Sequence, residues 1–324
     1  MTPIPPPNPA APEAVSDYAG FDFRRLWHGR VRVTEVERAI LRQALAGARP
    51  DRILEVGTGF GRLLPVAESV AREVVACDFD AASLARLPLP PPAGPPRWRI
   101  AANVYHLPYR DGAFSAATLI RVYHHLGAPE RALGELHRVL VPGGRLVVSY
   151  TPRPSWGTLT NDIGRAVRRT DGAPFRSATF GRGPRSFRPE PFPIYIDNRR
   201  AFGRVAQEAG FRVVGEWGAG FEEYAIARRL PTALFVRLGT GWARAPGFPH
   251  RFVLLERDGA SESPAPLPTE YLACPRCGAG LLGTPARPPD PCSGCGWAGG
   301  RAAAGVLDLR YLPTGAARWE APPS

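Results

Sequence analysis

Residues 51–62 read Asp-Arg-Ile-Leu-Glu-Val-Gly-Thr-Gly-Phe-Gly-Arg and restrict the fold more than any other stretch. Ile53, Leu54 and Val56 make a buried-strand run. Gly57, Gly59 and Gly61 make a tight turn, and Leu63, Leu64, Val66 and Ala67 open a helix. A strand feeding a glycine loop and then a helix N-terminus is a nucleotide-binding start. Glycine suits the loop because a larger side chain would keep a ligand off the backbone, and because some turn positions need positive φ. A dinucleotide fingerprint places its third glycine three residues after the second. Here that place is Arg62, and the glycine comes one residue early, at Gly61.

The chain then alternates strand and helix. Val74, Val75, Ala76 and Cys77 form a second short strand ending in Asp78, 21 residues after Gly57. An acid at that strand end can accept hydrogen bonds from both hydroxyls of a ribose. Trp98, Ile100 and Ala101 suggest a third strand, and Ala116 to Ile120 a fourth. His124 and His125 follow it, where open α/β sheets collect catalytic groups. Either histidine could orient or deprotonate a hydroxyl or ring nitrogen. Pro129 to Leu140 is an amphipathic helix, and residues 141–148 read as a helix stop, a turn and a fifth strand. Asp197 is expected to cap a helix through Gln207. Val213 to Trp217 and Phe252 to Glu256 supply strands six and seven, with a substrate-side excursion from Leu230 to Pro249 between them. The order predicts an α/β fold with a doubly wound, seven-strand Rossmann-like sheet.

Upstream of the glycine loop, Thr34 and Glu37 form a capping-box pattern. Val36, Ile40, Leu41 and Ala44 recur at helical spacing, and Gly47 ends the element. Phe21, Phe23, Leu26 and Trp27 precede it as an aromatic cluster, either a lid over the ligand or a packing element.

The spacing Glu55-x-Gly57-x-Gly59-x-Gly61 resembles motif I of the class I S-adenosylmethionine (SAM) methyltransferases. The stretch Asn103 to Phe114, with its Leu107-Pro108-Tyr109, and the string Glu135 to Gly144 resemble the ubiquinone/menaquinone-biosynthesis-like, type 11 branch. The resemblance covers about residues 50–257. It implies that Gly57, Gly59 and Gly61 hold the methionine end of SAM, that Glu55 supports the loop, and that Asp78 takes the ribose. It also implies that Asn103 and Val104 take the adenine. Asn103 stands where the family has an acid; its side-chain carbonyl can still accept a hydrogen bond. Ser115 replaces a usual aspartate.

Four of the five cysteines form two C-x-x-C pairs, Cys274/Cys277 and Cys292/Cys295, 14 residues apart. That spacing favours a metal over disulfides. Four thiolates make a closed tetrahedral site suited to structural zinc. Residues 270–310 resemble the small zinc-ribbon activators of methyltransferases for tRNA and translation factors, here fused in cis. Cys77 reads as a buried hydrophobe.

The expected organisation is a disordered proline-rich tail (1–18), a methyltransferase domain (19–257) with an insertion at about 152–200, a linker (258–269), a zinc ribbon (270–312) and a tail (313–324). No apolar run approaches the ~18 residues of a membrane span, and no signal-peptide pattern opens the chain; a cytoplasmic protein is expected. The net charge is +12, carried by arginine without lysine. Between residues 153 and 204, eleven arginines face four acids, a net of +7, with aromatics interleaved. Arginine with aromatics suits phosphate contact plus base stacking; a solvated flap is the plainer reading. The expected activity is methyl transfer from SAM to a small-molecule or lipid-like acceptor. RNA is the alternative acceptor, and a SAM-binding regulatory protein without turnover, its ribbon docking a protein partner, is the third reading.

Overall fold

The computed structural model describes residues 13, 15–18, 23–48, 50–152, 176–180, 193–221, 230–241, 247–259, 267, 269–281, 288–316 and 318–320. At its centre lies β2 (Arg52–Val56), flanked by β3 (Glu73–Asp78) and then β4 (Arg97–Ala101) on one side. On the other side lie β5 (Phe114–Leu119) and β6 (Leu140–Tyr150). These five are parallel. Antiparallel β10 (His250–Arg257) and β9 (Phe211–Ala219) finish that edge. The chain reverses its direction of sheet growth between β2 and β5, which opens a crevice at their carboxyl ends.

The strands read as nearly continuous apolar runs because both faces are covered. Ile53, Val74, Ala76 and Ala116 enter one core with α2 (Val31–Ala44), α3 (Leu64–Val70) and α4 (Ala81–Ala85). Leu54, Val75, Cys77, Ala117 and Leu119 enter the opposite core with α5 (Pro129–Val139) and α6 (Arg199–Glu208). The alternation of successive side chains therefore decides which layer each strand residue supports.

The sheet holds nine strands among the described residues rather than seven. Beyond β4 come β12 (Leu307–Asp308), parallel to it, and β11 (Gly300–Arg301). Both belong to the cysteine-rich C-terminal segment, which is thus built into the edge of the main sheet. Tyr271, Leu272, Leu281 and Leu309 are buried in the same core as Tyr109 and Phe114. Arg52 lies 3.8 Å over the Tyr271 ring, whose hydroxyl donates to Glu73. The expected tails are also partly structured: β1 (Val15–Asp17) pairs in parallel with β13 (Arg318–Glu320). Most of the expected linker lies outside the described residues.

Several local expectations change. α2 begins at Val31, with Arg30 before it, and the Thr34 N–H already donates to Arg30 O. The buried face that starts at Val33 draws the helix back by a turn, and Glu37 is buried rather than capping. The cap of α6 is Asn198, whose Oδ1 accepts from Ala201 N at 2.8 Å; Asp197 ends β8 (Pro193–Asp197). The expected turn near Gly143 is a register slip inside β6. The described part of residues 230–249 includes α7 (Thr232–Gly241), which packs on α2 and β9; residues 242–246 lie outside the described residues. β7 (Arg176–Phe180) pairs with β8; residues 153–175 and 181–192 of the arginine-rich stretch lie outside the described residues.

Candidate functional site

A cavity of about 1190 Å³, counting its open mouth, sits at the carboxyl ends of β2, β3 and β5. Its floor is the glycine loop. Gly57 N and Thr58 N both donate to Cys77 O, at 2.8 and 3.1 Å, which folds the loop over β3. Gly57 has φ of 73°, and a Cβ there would stand 2.1 Å from Val122 Cγ2. Only glycine meets both demands, so the loop after β2 and the loop after β5 can touch. Gly57 and Gly59 line the cavity. Gly61 does not, and packs against Leu64 and Leu87.

Glu55 is buried at the end of β2 and lines the cavity. Its Oε2 has no hydrogen-bond partner among the described residues. Burial pushes its carboxyl up to about 8, although Arg62 pulls the other way. Asp78 lines the adjoining wall. Its Oδ2 accepts from Gly59 N at 2.7 Å and its Oδ1 from Asp80 N at 2.9 Å. Burial lifts its carboxyl to about 6 in spite of these donors. Each oxygen keeps a second lone-pair direction for a ligand hydroxyl.

Asn103 is buried but does not line the cavity. Its Oδ1 accepts from Tyr105 N, and its Nδ2 donates 3.1 Å to Tyr311 O in the C-terminal segment. The expected adenine contact therefore does not fall to the Asn103 side chain, which fastens two parts of the fold together. Val104, Ala102 and Phe79 face the cavity beside it. Ser115 is taken up in bonds to the Arg52 backbone.

Of the two histidines, only His125 lines the cavity, edge-on to Tyr18 at 5.7 Å. The His124 ring lies 4.1 Å from it, tilted by 50°. Burial, with His125 and Arg121 nearby, holds the His124 imidazole well below its usual value, and so neutral. Of the aromatic cluster, Phe23 and Trp27, from α1 (Phe23–Trp27), line the cavity with Tyr18 and Val15, and Phe21 lies outside the described residues.

Sequence reasoning missed the most polar feature of the wall. Glu37 is fully buried and pairs with both Arg62 and Arg121. Burial alone would raise its carboxyl, but the two guanidinium groups together hold it below the usual range. Arg121 Nε donates to Glu37 Oε1 at 2.8 Å, and its Nη1 to His250 Nε2 at 2.6 Å. Arg62 and Arg121 also lie 3.9 and 5.5 Å from the Trp27 ring. Arg121 has φ of 62°, unusual for a residue with a side chain, and Ser149 Oγ accepts its N–H at 2.8 Å. Such strain gathers at working sites. No sequence signal marks a positive φ at arginine.

The second cluster is made of Cys274, Cys277, Cys292 and Cys295, whose sulfurs all lie within 4.8 Å of one another. Cys274 Sγ is 3.7 Å from Cys295 Sγ, and Cys277 Sγ is 3.5 Å from Cys292 Sγ. A zinc–sulfur tetrahedron with ~2.3 Å bonds needs sulfurs about 3.8 Å apart. The two knuckles repeat each other: Gly278 N donates to Cys274 O and Gly296 N to Cys292 O, both at 2.8 Å. The donor set and spacing fit a small zinc ribbon.

The sheet order and the switch-point cavity define a Rossmann-like fold. Residues 54–148 match the family described as "Methyltransferase domain", so the chain carries such a domain there. Relatives include demethylmenaquinone methyltransferase of Thermus thermophilus, 41% identical over 111 residues, or 33% of this chain and 50% of that one. Demethylmenaquinone methyltransferase of Renibacterium salmoninarum is 32% identical over 120 residues, 37% of this chain and 49% of that one. The chain thus spans about half the length of these curated relatives. A SAM-dependent methyltransferase of Methanosarcina mazei superposes with a TM-score of 0.48 at 18% identity, over 68% of this chain and 98% of that one.

Proposed function

We propose that this chain transfers a methyl group from SAM to a small-molecule acceptor. The observation that carries the reading is the glycine-floored cavity, in which one oxygen of the buried Glu55 carboxyl lacks a hydrogen-bond partner on one wall and Asp78 stands on the next. SAM supplies an electrophilic methyl on its sulfonium. Glu55 would receive the α-ammonium of its methionine end, while Gly57 and Gly59 let that end lie against the backbone. Asp78 would accept from the ribose hydroxyls, and Val104 with Phe79 would flank the adenine. The chain's own contribution is then alignment for in-line attack and exclusion of water beneath Tyr18, Phe23 and Trp27. His125, on the acceptor side, is the group in reach to take a proton from the nucleophile. His124 stays behind it as a neutral neighbour.

A small acceptor is favoured by the apolar wall formed by Val15, Tyr18, Trp27, Ile120 and Leu126. The relatives' names point the same way. The four cysteines would hold structural zinc, with no open coordination position for catalysis. No helix among the described residues is long and apolar enough to cross a membrane. The test is incubation with methyl-labelled SAM and separated metabolite and RNA fractions of a cell extract. Label in the metabolite fraction is expected. Label confined to RNA would overturn the acceptor class, and SAM binding without label in any fraction would overturn turnover itself.

A further inference from the structure

We propose that β13 is a clasp that holds β1 closed over the adenosine end of the cavity, and that its release sets the rate at which cofactor enters and leaves. The proposal rests on the methyl-transfer reading and adds the step that would regulate that site. The floor of the cavity belongs to the nine-stranded sheet and its loops. β1 and β13 do not. They form a separate two-stranded sheet of three parallel pairs, Val15 with Arg318, Ser16 with Trp319 and Asp17 with Glu320. A two-stranded sheet by itself is marginally stable, so what its strands touch decides whether it stays shut.

Both strands touch the cofactor site. Val15 is buried in the core that holds Cys77, Ala102 and Tyr105, and it lines the cavity; Tyr18, just past the strand, lines it too. From β13, Arg318 lies 5.7 Å from the ring of Phe79, which lines the cavity beside Asp78. The ladder partner of Arg318 is Val15 itself, so the ladder crosses the end where the adenosine would lie. Ahead of β1, Glu13 pairs with His106 at 3.4 Å and with Arg131 at 3.1 Å. The Arg131 side chain is 55% exposed, and an exposed ion pair holds weakly. The ladder is therefore the tie whose loss frees β1.

Methyl transfer needs both a shut and an open state. Water must be kept from the reacting groups during attack, and the product thioether must leave afterwards. A cover made of main-sheet strands would open only by breaking the core. A three-pair ladder can open and reclose while Asp78 and the glycine loop stay in place. Elements that move for ligand exchange come from the least stable part of a fold.

The test is the dissociation rate of labelled S-adenosylhomocysteine (SAH), chased with excess unlabelled SAH. The first variant carries Ser16→Cys with Trp319→Cys. These register partners stand on strands about 4.8 Å apart, within reach of a disulfide. Oxidised, it should release SAH at least about tenfold more slowly than wild type treated alike, and reduction should restore the rate. The second variant ends at Leu312, which keeps Arg310 and Tyr311 and removes β13. It should release SAH at least about tenfold faster than the full chain. Equal rates in the oxidised and reduced pair, or a shortened chain as slow as the full one, overturn the proposal. Failure of the two cysteines to cross-link overturns it as well, since the pairing would be wrong. Should the shortened chain not fold, the cross-linked pair decides alone. Failure of the wild type to bind SAH would instead sink the methyl-transfer reading, a separate outcome.

Discussion

Glu55 gives the sharpest test of the cofactor site, because its protonation must change when the ligand arrives. With its carboxyl pushed up to about 8 by burial, the group is about 0.9 protonated at pH 7 in the free protein. A ligand ammonium beside it favours the carboxylate. Return to the model-peptide range would be worth on the order of 5 kcal/mol, an upper bound for a fully buried group. SAH binding at pH 7 should therefore release about 0.9 proton from Glu55 and about 0.1 from Asp78, whose carboxyl lies at about 6. At pH 6 the sum should rise to about 1.5. Calorimetry in phosphate and in Tris reads this as the slope of observed enthalpy against buffer ionisation enthalpy. Glu55→Gln should cut the release at pH 7 to about 0.1 proton and weaken binding by ~1.5–3 kcal/mol, the range for a hydrogen bond to a charged group. The sign for the free protein follows from the same linkage. A carboxyl raised on folding contributes stability that is present below its unfolded value and lost as pH rises through about 8. Zero proton release at pH 7, or equal release in Glu55→Gln, would refute the assignment.

The two glycines of the floor should respond unequally to alanine. Gly57→Ala meets both a positive φ and Val122 at 2.1 Å, and should destabilise by about 2–5 kcal/mol in urea unfolding. Gly59→Ala has open space and only the φ of 53°, so about 1–2 kcal/mol is expected; a reversed order would contradict the packing described. Asp78→Ala should weaken SAM binding by ~1.5–3 kcal/mol by leaving hydroxyls and the Gly59 N–H without an acceptor; calorimetry showing unchanged affinity removes the ribose role. Cys274→Ser with Cys277→Ser should abolish the metal, read as loss of one zinc equivalent by elemental analysis.

Periodicity and punctuation made the core of the fold legible. Ile53-Leu54-x-Val56 followed by alternating glycines fixes a strand, a turn and a helix with few alternatives, and the strand runs after it repeat the same grammar. The ends of elements were less legible. Thr34 and Glu37 have the capping pattern, but the apolar stripe from Val33 needed another turn, and Glu37 found two arginines distant in sequence. Asn103 shows the same limit. Its amide donates to Tyr311 O, 208 residues away. Nothing local announces such a partner. Arg121 is less legible still, since its value lies in a backbone angle that its side chain disfavours.

The C-terminal segment changes how the chain divides. A ribbon joined by a linker would unfold on its own, and losing its metal would leave the catalytic domain intact. Here the segment shares backbone bonds with the domain at both ends of its path. Arg110 N donates to Tyr271 O and Ala273 N to Pro108 O near its start, and Leu309 N donates to Ala101 O near its end. Leu307 and Asp308 pair with Ile100 and Ala101 of β4, next to the strand that carries Asp78. Arg310 then donates to Phe79 O, and β13 pairs with β1, whose Val15 lines the cavity. Removing zinc would thus loosen an edge of the main sheet and one wall of the cofactor site together. A chelator should move a single calorimetric unfolding transition to lower temperature. Two separate transitions, with the larger one unmoved, would show that the ribbon is a detachable module after all.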